Sequence, residues 1–282
     1  MGEQTRNVIV SGAARGIGRS LSRHFLDKGD RVFLLDIQED ELKYCVDVHL
    51  AKHADRVAYA LCNLRDPEAI RQAIKKAALF FGGRIDVLVN NGGIAAPQWR
   101  DGKTMEDPDT LGEWQAYMET NLTAPFVASQ ACLPFMKRDE VLASDEGAAK
   151  VAAEVGSTAG PCIVHIGSFR AHQSDPNQEG YAASKAGQLG LMHSMAISLA
   201  RWGIRVNLVA PGRIKAAHEC REGDEAGVEW AHQVEGKDVA DHPTNRAGRP
   251  RDVAQAVDYL INAGFVTGEE LTVDGGALKK KN

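Results

Sequence analysis

The apolar run NVIV at residues 7–10 passes through Ser11 straight into GAARGIG at residues 12–18. No other junction constrains the fold as strongly. A short strand that ends in glycines and opens a helix is the entry to a βαβ unit. Gly12 lets the chain leave the strand tightly, Gly16 lets backbone come close to a ligand, and Gly18 lets the helix beginning near Ile17 pack on the sheet. The free N–H groups and dipole of that helix then face outward, where a pyrophosphate can sit. The spacing G-x-x-x-G-x-G is looser than the dinucleotide fingerprint G-x-G-x-x-G, so the surrounding sequence has to carry the inference.

That context begins with RVFLL at residues 31–35, a second strand-like run that ends in Asp36, 24 residues after Gly12. An acid at this point of a βαβ unit can accept both adenosine ribose hydroxyls and repels a 2′-phosphate. Asp36 therefore predicts NAD in preference to NADP. Arg15, in the glycine loop, is the cation that would favour NADP.

Further short β-branched runs at 57–61, 85–90, 162–168, 204–210 and 270–273 alternate with helix-length stretches. The alternation predicts a doubly wound, predominantly parallel sheet of about seven strands. At 282 residues and 44% hydrophobic content, the chain is expected to form a single dinucleotide-binding and catalytic domain over 1–282. Residues 19–28 read as a helix closed by Gly29, and Asp66–Pro67–Glu68 as the capped start of another. The alanine-rich, polar stretch 138–160 interrupts the rhythm and is expected to be a surface insertion.

The formal charge of -5, with both signs dispersed, gives no reason to invoke nucleic acid or an anionic membrane. The start MGEQTRNVIVSG has neither an apolar signal core nor a spanning segment, so a cytoplasmic protein is expected. Five cysteines in a chain with its own core read as reduced, structural thiols. His218, His232 and His242 lie in a charged stretch without metal-ligand spacing, and no metal is expected.

Tyr181 and Lys185 are four residues apart in GYAASKA, hence on one helical face. A phenol is a poor base at neutral pH, and an adjacent ammonium favours its ionised form. Ser168 ends the run at 162–168, at the carboxyl edge of a strand, where ligand crevices open. Its hydroxyl could hold a substrate oxygen while Tyr181 moves the proton. Asn90, Asn91, Gly92 and Gly93 close another strand and can lie against a bound ribose. Asn121 sits in the helix-like stretch 113–131, and Pro125 four residues later has no N–H for its carbonyl, which could then hold a water.

Together these residues resemble the short-chain dehydrogenase/reductase family with its Asn-Ser-Tyr-Lys tetrad, over nearly the whole chain. The resemblance implies Asn121, Ser168, Tyr181 and Lys185 as catalytic residues, with Tyr181 as general acid/base. It places the cofactor on the loop Gly12, Arg15, Gly16, Ile17 and Gly18 and on Asp36. Asn63 and Leu64 in CNLRD, Asn91, Gly92, Tyr181, Lys185, Pro211, Gly212 and the backbone of Ile214 complete that set. Asn63 stands where the family commonly has an acid, Ser11 where threonine is commoner, and Gly93 departs from NNAG. The threonine usual two residues after Ile214 is missing.

The resemblance further implies hydride transfer between the cofactor and a secondary alcohol or ketone. Lys185 would hold ribose and lower the Tyr181 pKa, and Asn121 would fix a water linking Lys185 to solvent. A homotetramer, or else a homodimer, is the implied assembly. The rims at 98–108 and 213–245 follow strand ends, and the second is expected to form a substrate lid. Arg170 and His172 read either as contacts to a polar or anionic substrate or as solvated loop residues. Trp99 reads either as an aromatic wall or as packing beneath its loop. Two other readings stay open: an NADP(H)-dependent biosynthetic carbonyl reductase, and a noncatalytic nucleotide-binding scaffold or sensor.

Overall fold

The computed structural model describes residues 5–138 and 159–280. The expected surface insertion at 138–160 therefore lies almost wholly outside the described residues. The described strands are β1 (Asn7–Ser11), β2 (Arg31–Asp36), β3 (Val57–Leu61), β4 (Val87–Asn90), β5 (Cys162–Ile166), β6 (Arg205–Pro211) and β7 (Glu270–Val273). They form one sheet in the order β3-β2-β1-β4-β5-β6-β7, with every neighbouring pair parallel. This is a single-domain α/β Rossmann fold. The strand order reverses between β1 and β4, and the crevice of such a sheet opens there, outside the carboxyl ends of the strands.

The near-continuous apolar runs of β1, β4 and β5 follow from burial on both faces. Successive side chains alternate across the pleat. Val8 and Val10 join Leu21, Phe25, Val257 and Leu260 on one face. Ile9 and Phe33 join Ile74, Val127 and Met192 on the other. The first layer is covered by α1 (Gly16–Asp27) and, near the C-terminus, by the helix Pro250–Asn262.

A short α2 (Glu39–Tyr44) follows β2. Then α3 (Pro67–Phe80) starts as its sequence predicts: the Asp66 carboxylate accepts from the N–H groups of Glu68 at 2.9 Å and Ala69 at 3.2 Å, with Pro67 in the first turn. Such a cap contributes about 1 kcal/mol.

The stretch expected as one helix over 113–131 is interrupted. It is α4 (Leu111–Tyr117), a wider π turn at Met118–Thr123, then α5 (Ala124–Met136). Pro125 cannot supply the N–H that an α-helix would bring to the Asn121 carbonyl, and the ladder widens there. On the same side, α6 (Glu179–Ser198) carries Tyr181 and Lys185. Between β6 and β7 come α7 (Arg221–Glu225), α8 (Gly236–Asp241) and the C-terminal helix, α9 (Pro250–Asn262). No described helix is long and apolar enough to cross a membrane. All five cysteines are buried and unpaired, and burial pushes the Cys45 thiol up to about 12 and Cys62 up to about 11.

Candidate active site

A cleft of ≈ 1560 Å³ opens at the carboxyl ends of the strands. That is room for a dinucleotide and a small substrate together. It is lined at one end by Gly12, Arg15, Gly16, Ile17, Asp36, Asn63 and Leu64, and in the middle by Asn91 and Gly92. Ser168, Arg170, Tyr181, Lys185, Pro211, Gly212 and Ile214 line the rest.

The glycine end is built by close backbone contact. A Cβ on Gly18 would lie 2.0 Å from the Gly12 carbonyl oxygen, and one on Gly12 would lie 2.5 Å from the Gly92 Cα. Gly12 also has φ +61, a left-handed value. Only glycine fits either position. Asn91 fastens this packing: its side-chain amide donates to the carbonyls of Ser11 and Gly12, both at 3.0 Å. The Ser11 hydroxyl accepts from the N–H groups of Asn91 and Gly92. The side-chain donors of Asn91 thus hold the loop. At the start of α1, the Gly16 N–H donates to the Glu219 carbonyl at 2.7 Å. Ile17 and Gly18 follow in the first turn, where a helix has no carbonyl of its own to offer, so an anion fits against them.

At the nicotinamide end, the Gly248 N–H donates to the Arg213 carbonyl and the Lys215 N–H donates to the Gly248 carbonyl. Ile214 bridges to Gly248 in parallel register, which turns its own N–H and C=O to the opposite edge. That backbone is available to an amide such as a carboxamide. The shape and donor set of the cleft therefore fit a dinucleotide at both ends.

Between the ends, Ser168 comes together with Tyr181 and Lys185, which lie one turn apart on α6, with Asn121 behind them. Burial pushes the Tyr181 phenol above its ordinary value, and a hydrogen bond with Ser168 and the charge of Arg170 only partly pull it back. Burial also lowers the Lys185 ammonium to about 8. Its Nζ donates to the Ile166 carbonyl at 2.8 Å and lies 5.8 Å from the Tyr181 ring centroid. Ser168 and Arg170 thus favour Tyr181 ionisation here, and Lys185 lies beside the ring while donating to backbone. Asn121 is fully buried. Its Oδ1 accepts from the Ile94 N–H at 2.8 Å and its Nδ2 donates to the Ser184 hydroxyl at 3.1 Å. Its carbonyl, expected to hold a water, accepts from the side-chain amide of Gln188.

The rims divide the remaining residues. Gln98, Arg100, Asp101 and Lys103 border the cleft on one side, and Arg213, Ile214, Ala216, Ala217 and Lys237 on the other. Arg170 lies in the wall with its guanidinium paired to Asp175. His172 points away to Glu270, at 2.7 Å. Trp99 packs beneath its loop: it is 5% exposed, meets Tyr117 edge-on, and donates from Nε1 to Glu179 at 2.8 Å. Asn63 caps its own turn by accepting from the Arg65 N–H at 3.0 Å. Among the described residues no His, Cys, Asp and Glu cluster has the arrangement of a metal site.

A family profile described as short chain dehydrogenase matches residues 6–226. The chain belongs to the short-chain dehydrogenase/reductase family. Similar proteins span it end to end. An uncharacterized oxidoreductase of Thermotoga maritima is 30% identical over 96% of this chain and 95% of its own. The 3-oxoacyl-(acyl-carrier-protein) reductase FabG of Vibrio cholerae is 33% identical over 95% of each chain. Among solved structures, an apo SCOR enzyme from Clostridium thermocellum aligns at TM-score 0.76 with 28% identity, over 99% of this chain and 95% of that one. A blue fluorescent protein from a metagenomic library, in complex with NADPH, aligns at TM-score 0.75 with 27% identity, over 98% and 99%. As a member of the family, the protein is an oxidoreductase that transfers hydride between a nucleotide cofactor and a carbonyl or alcohol carbon.

The expected preference for NAD over NADP is overturned by these relatives. One similar structure is a complex with NADPH, and FabG relatives recur among the matches as reductases. The fold supplies a physical reason. Asp36 Oδ2 accepts from the Ala14 N–H at 3.0 Å, and Oδ1 accepts from the N–H groups of Ile37 at 2.8 Å and Gln38 at 3.1 Å. The carboxylate organises two loops, so its presence is accounted for without a ribose.

Proposed function

We propose that the protein is an NADPH-dependent carbonyl reductase in which Tyr181 gives the proton to the nascent alcohol oxygen. The observation that carries this reading is the Tyr181 phenol beside Ser168 and Lys185 in the cleft, protonated at neutral pH and pushed further up by burial. A protonated phenol is a general acid, which suits reduction. Arg15, exposed at the glycine loop, is the cation for the 2′-phosphate, where a charge-assisted hydrogen bond is strong. Ile17 and Gly18 take the pyrophosphate. Asn63 and Leu64 flank the adenine side, Lys185 and Tyr181 the nicotinamide ribose, and Pro211, Gly212 and Ile214 the carboxamide. The chemistry the cofactor would supply is a hydride from nicotinamide C4 to the carbonyl carbon, leaving oxidised NADP.

The chain's own residues do the rest. Ser168 donates a hydrogen bond to the carbonyl oxygen and steadies the charge that develops there. Tyr181 passes its hydroxyl proton to the same oxygen, so carbonyl, hydride and proton give the alcohol. The Lys185 ammonium keeps the deprotonated phenol from being an isolated buried charge before it is reprotonated. The rim at 213–245 acts as the substrate lid, and a 3-oxoacyl thioester, the substrate class in the FabG name, is the first compound to test. A homotetramer would cover Tyr259, 56% exposed, and Phe265, fully exposed, near β7. Light scattering in solution decides it.

The test is Tyr181→Phe. Carbonyl reduction should fall by roughly 10²–10⁴-fold, the usual contribution of a general acid, with NADPH affinity little changed. Retained turnover would exclude Tyr181 as the acid.

A further inference from the structure

Gln188 lies three residues after Lys185 on α6 and is 1% exposed. Its two ends reach two different members of the site. Oε1 accepts from Lys185 Nζ at 3.4 Å, while Nε2 donates a short hydrogen bond to the backbone carbonyl of Asn121. That carbonyl lies in the π turn at Met118–Thr123, and Pro125 four residues on has no N–H for it. An ammonium can only donate and a carbonyl can only accept, so the amide has one workable orientation, with oxygen to Lys185 and nitrogen to Asn121.

We propose that Gln188 is a positioning residue for the reaction. Its side-chain amide ties the Lys185 ammonium to the Asn121 carbonyl. Two of the three N–H donors of Lys185 are then committed, to Ile166 and to Gln188, and Lys185 lines the cleft. Lys185 is thereby aimed. The titratable groups facing Lys185 are Tyr181, one turn earlier on α6, and His165 on β5, which burial holds neutral down to about 4. Gln188 supplies the side-chain acceptor that favours the charged form of the lysine. The inference rests on the reading of Lys185 and Tyr181 as the proton-handling pair.

Two variants test it. Gln188→Met keeps the volume and removes both polar ends, and Gln188→Glu places a carboxylate against Lys185. The first readout is the titration of the Lys185 Nζ by nitrogen-15 NMR in the full chain without cofactor. The second is the pH profile of carbonyl reduction with NADPH. Loss of an acceptor destabilises the ammonium, so Gln188→Met should lower the Lys185 pKa and shift the alkaline limb of the profile downward by about half a pH unit or more. Gln188→Glu should move both upward. If Gln188→Met does not fold, Gln188→Glu carries the same test with the opposite sign. Folded variants in which both the lysine titration and the alkaline limb stay at their wild-type positions overturn the proposal and leave Gln188 as packing. A wild-type protein that reduces no carbonyl compound defeats the reductase reading instead, and the lysine titration still decides the role of Gln188.

Discussion

Two neighbouring walls beside the cleft are held by different forces. At the glycine end, Gly12, Gly18 and Gly92 meet backbone to backbone with no room for a methyl group. Across α1, the segment that leads into α7 is fastened by charge. Arg19, 1% exposed, pairs with Glu219 at 3.0 Å and Asp224 at 2.7 Å. Arg23 also pairs with Glu219, and His49 lies 3.3 Å from Asp224. One wall is set by sterics, which neither pH nor salt alters. The other depends on the buried Arg19 and Glu219 keeping their charges, because an unpaired buried ion is costly.

The largest expected effect is on the steric wall. Gly18→Ala should cost about 3 kcal/mol or more, at the upper end of overpacking, and should abolish NADPH binding. Urea unfolding and a fluorescence titration read the two losses. An alanine accepted with unchanged affinity would break the steric half of the comparison.

The charged wall should yield more gradually. Burial alone would push Glu219 up, but hydrogen bonds and charge from Arg23 and Arg19 together hold it below the ordinary glutamate value of 4.5. A depressed folded-state pKa stabilises the fold above that value, and the contribution is lost as pH falls through the folded pKa. Glu219→Gln should therefore cost roughly 2–3 kcal/mol at neutral pH, less than a fully orphaned ion because Asp224 still pairs with Arg19. It should also flatten the acid side of the urea midpoint against pH. Equal acid sensitivity in the variant and the wild type would remove the electrostatic half.

The smallest effect concerns the entrance between the walls. Arg15→Ala should weaken NADPH by roughly tenfold, about one charge-assisted hydrogen bond, and leave NADH unchanged. Parallel fluorescence titrations with the two cofactors check it. Equal weakening of both would place Arg15 on the shared part of the dinucleotide.

The sterically built half was readable in the sequence because its information is local. Glycines within a few residues of a strand end, the Asp66–Pro67 cap and the i, i+4 spacing of Tyr181 and Lys185 each carry their geometry with them. The charged half was not readable in the same way. Arg19 and Glu219 are 200 residues apart, and the only local hint was an arginine among the core-facing positions of α1, beside Leu21 and Ser22. The π turn at Asn121 keeps the composition of a helix, and Gln188 looks like any polar residue of α6. Neither could be placed until the fold set one against the other. Asp36 misled for a related reason: sequence gives the charge, while the N–H groups of Ala14, Ile37 and Gln38 decide where its lone pairs go.

The most direct measurement is cofactor oxidation by the wild-type protein and Tyr181→Phe, with a 3-oxoacyl thioester and a panel of ketones, using NADPH and NADH in parallel. The account predicts turnover by the wild type, faster with NADPH, and its near-complete loss in Tyr181→Phe. Binding of NADPH without turnover of any carbonyl compound, or faster reduction with NADH, would contradict it.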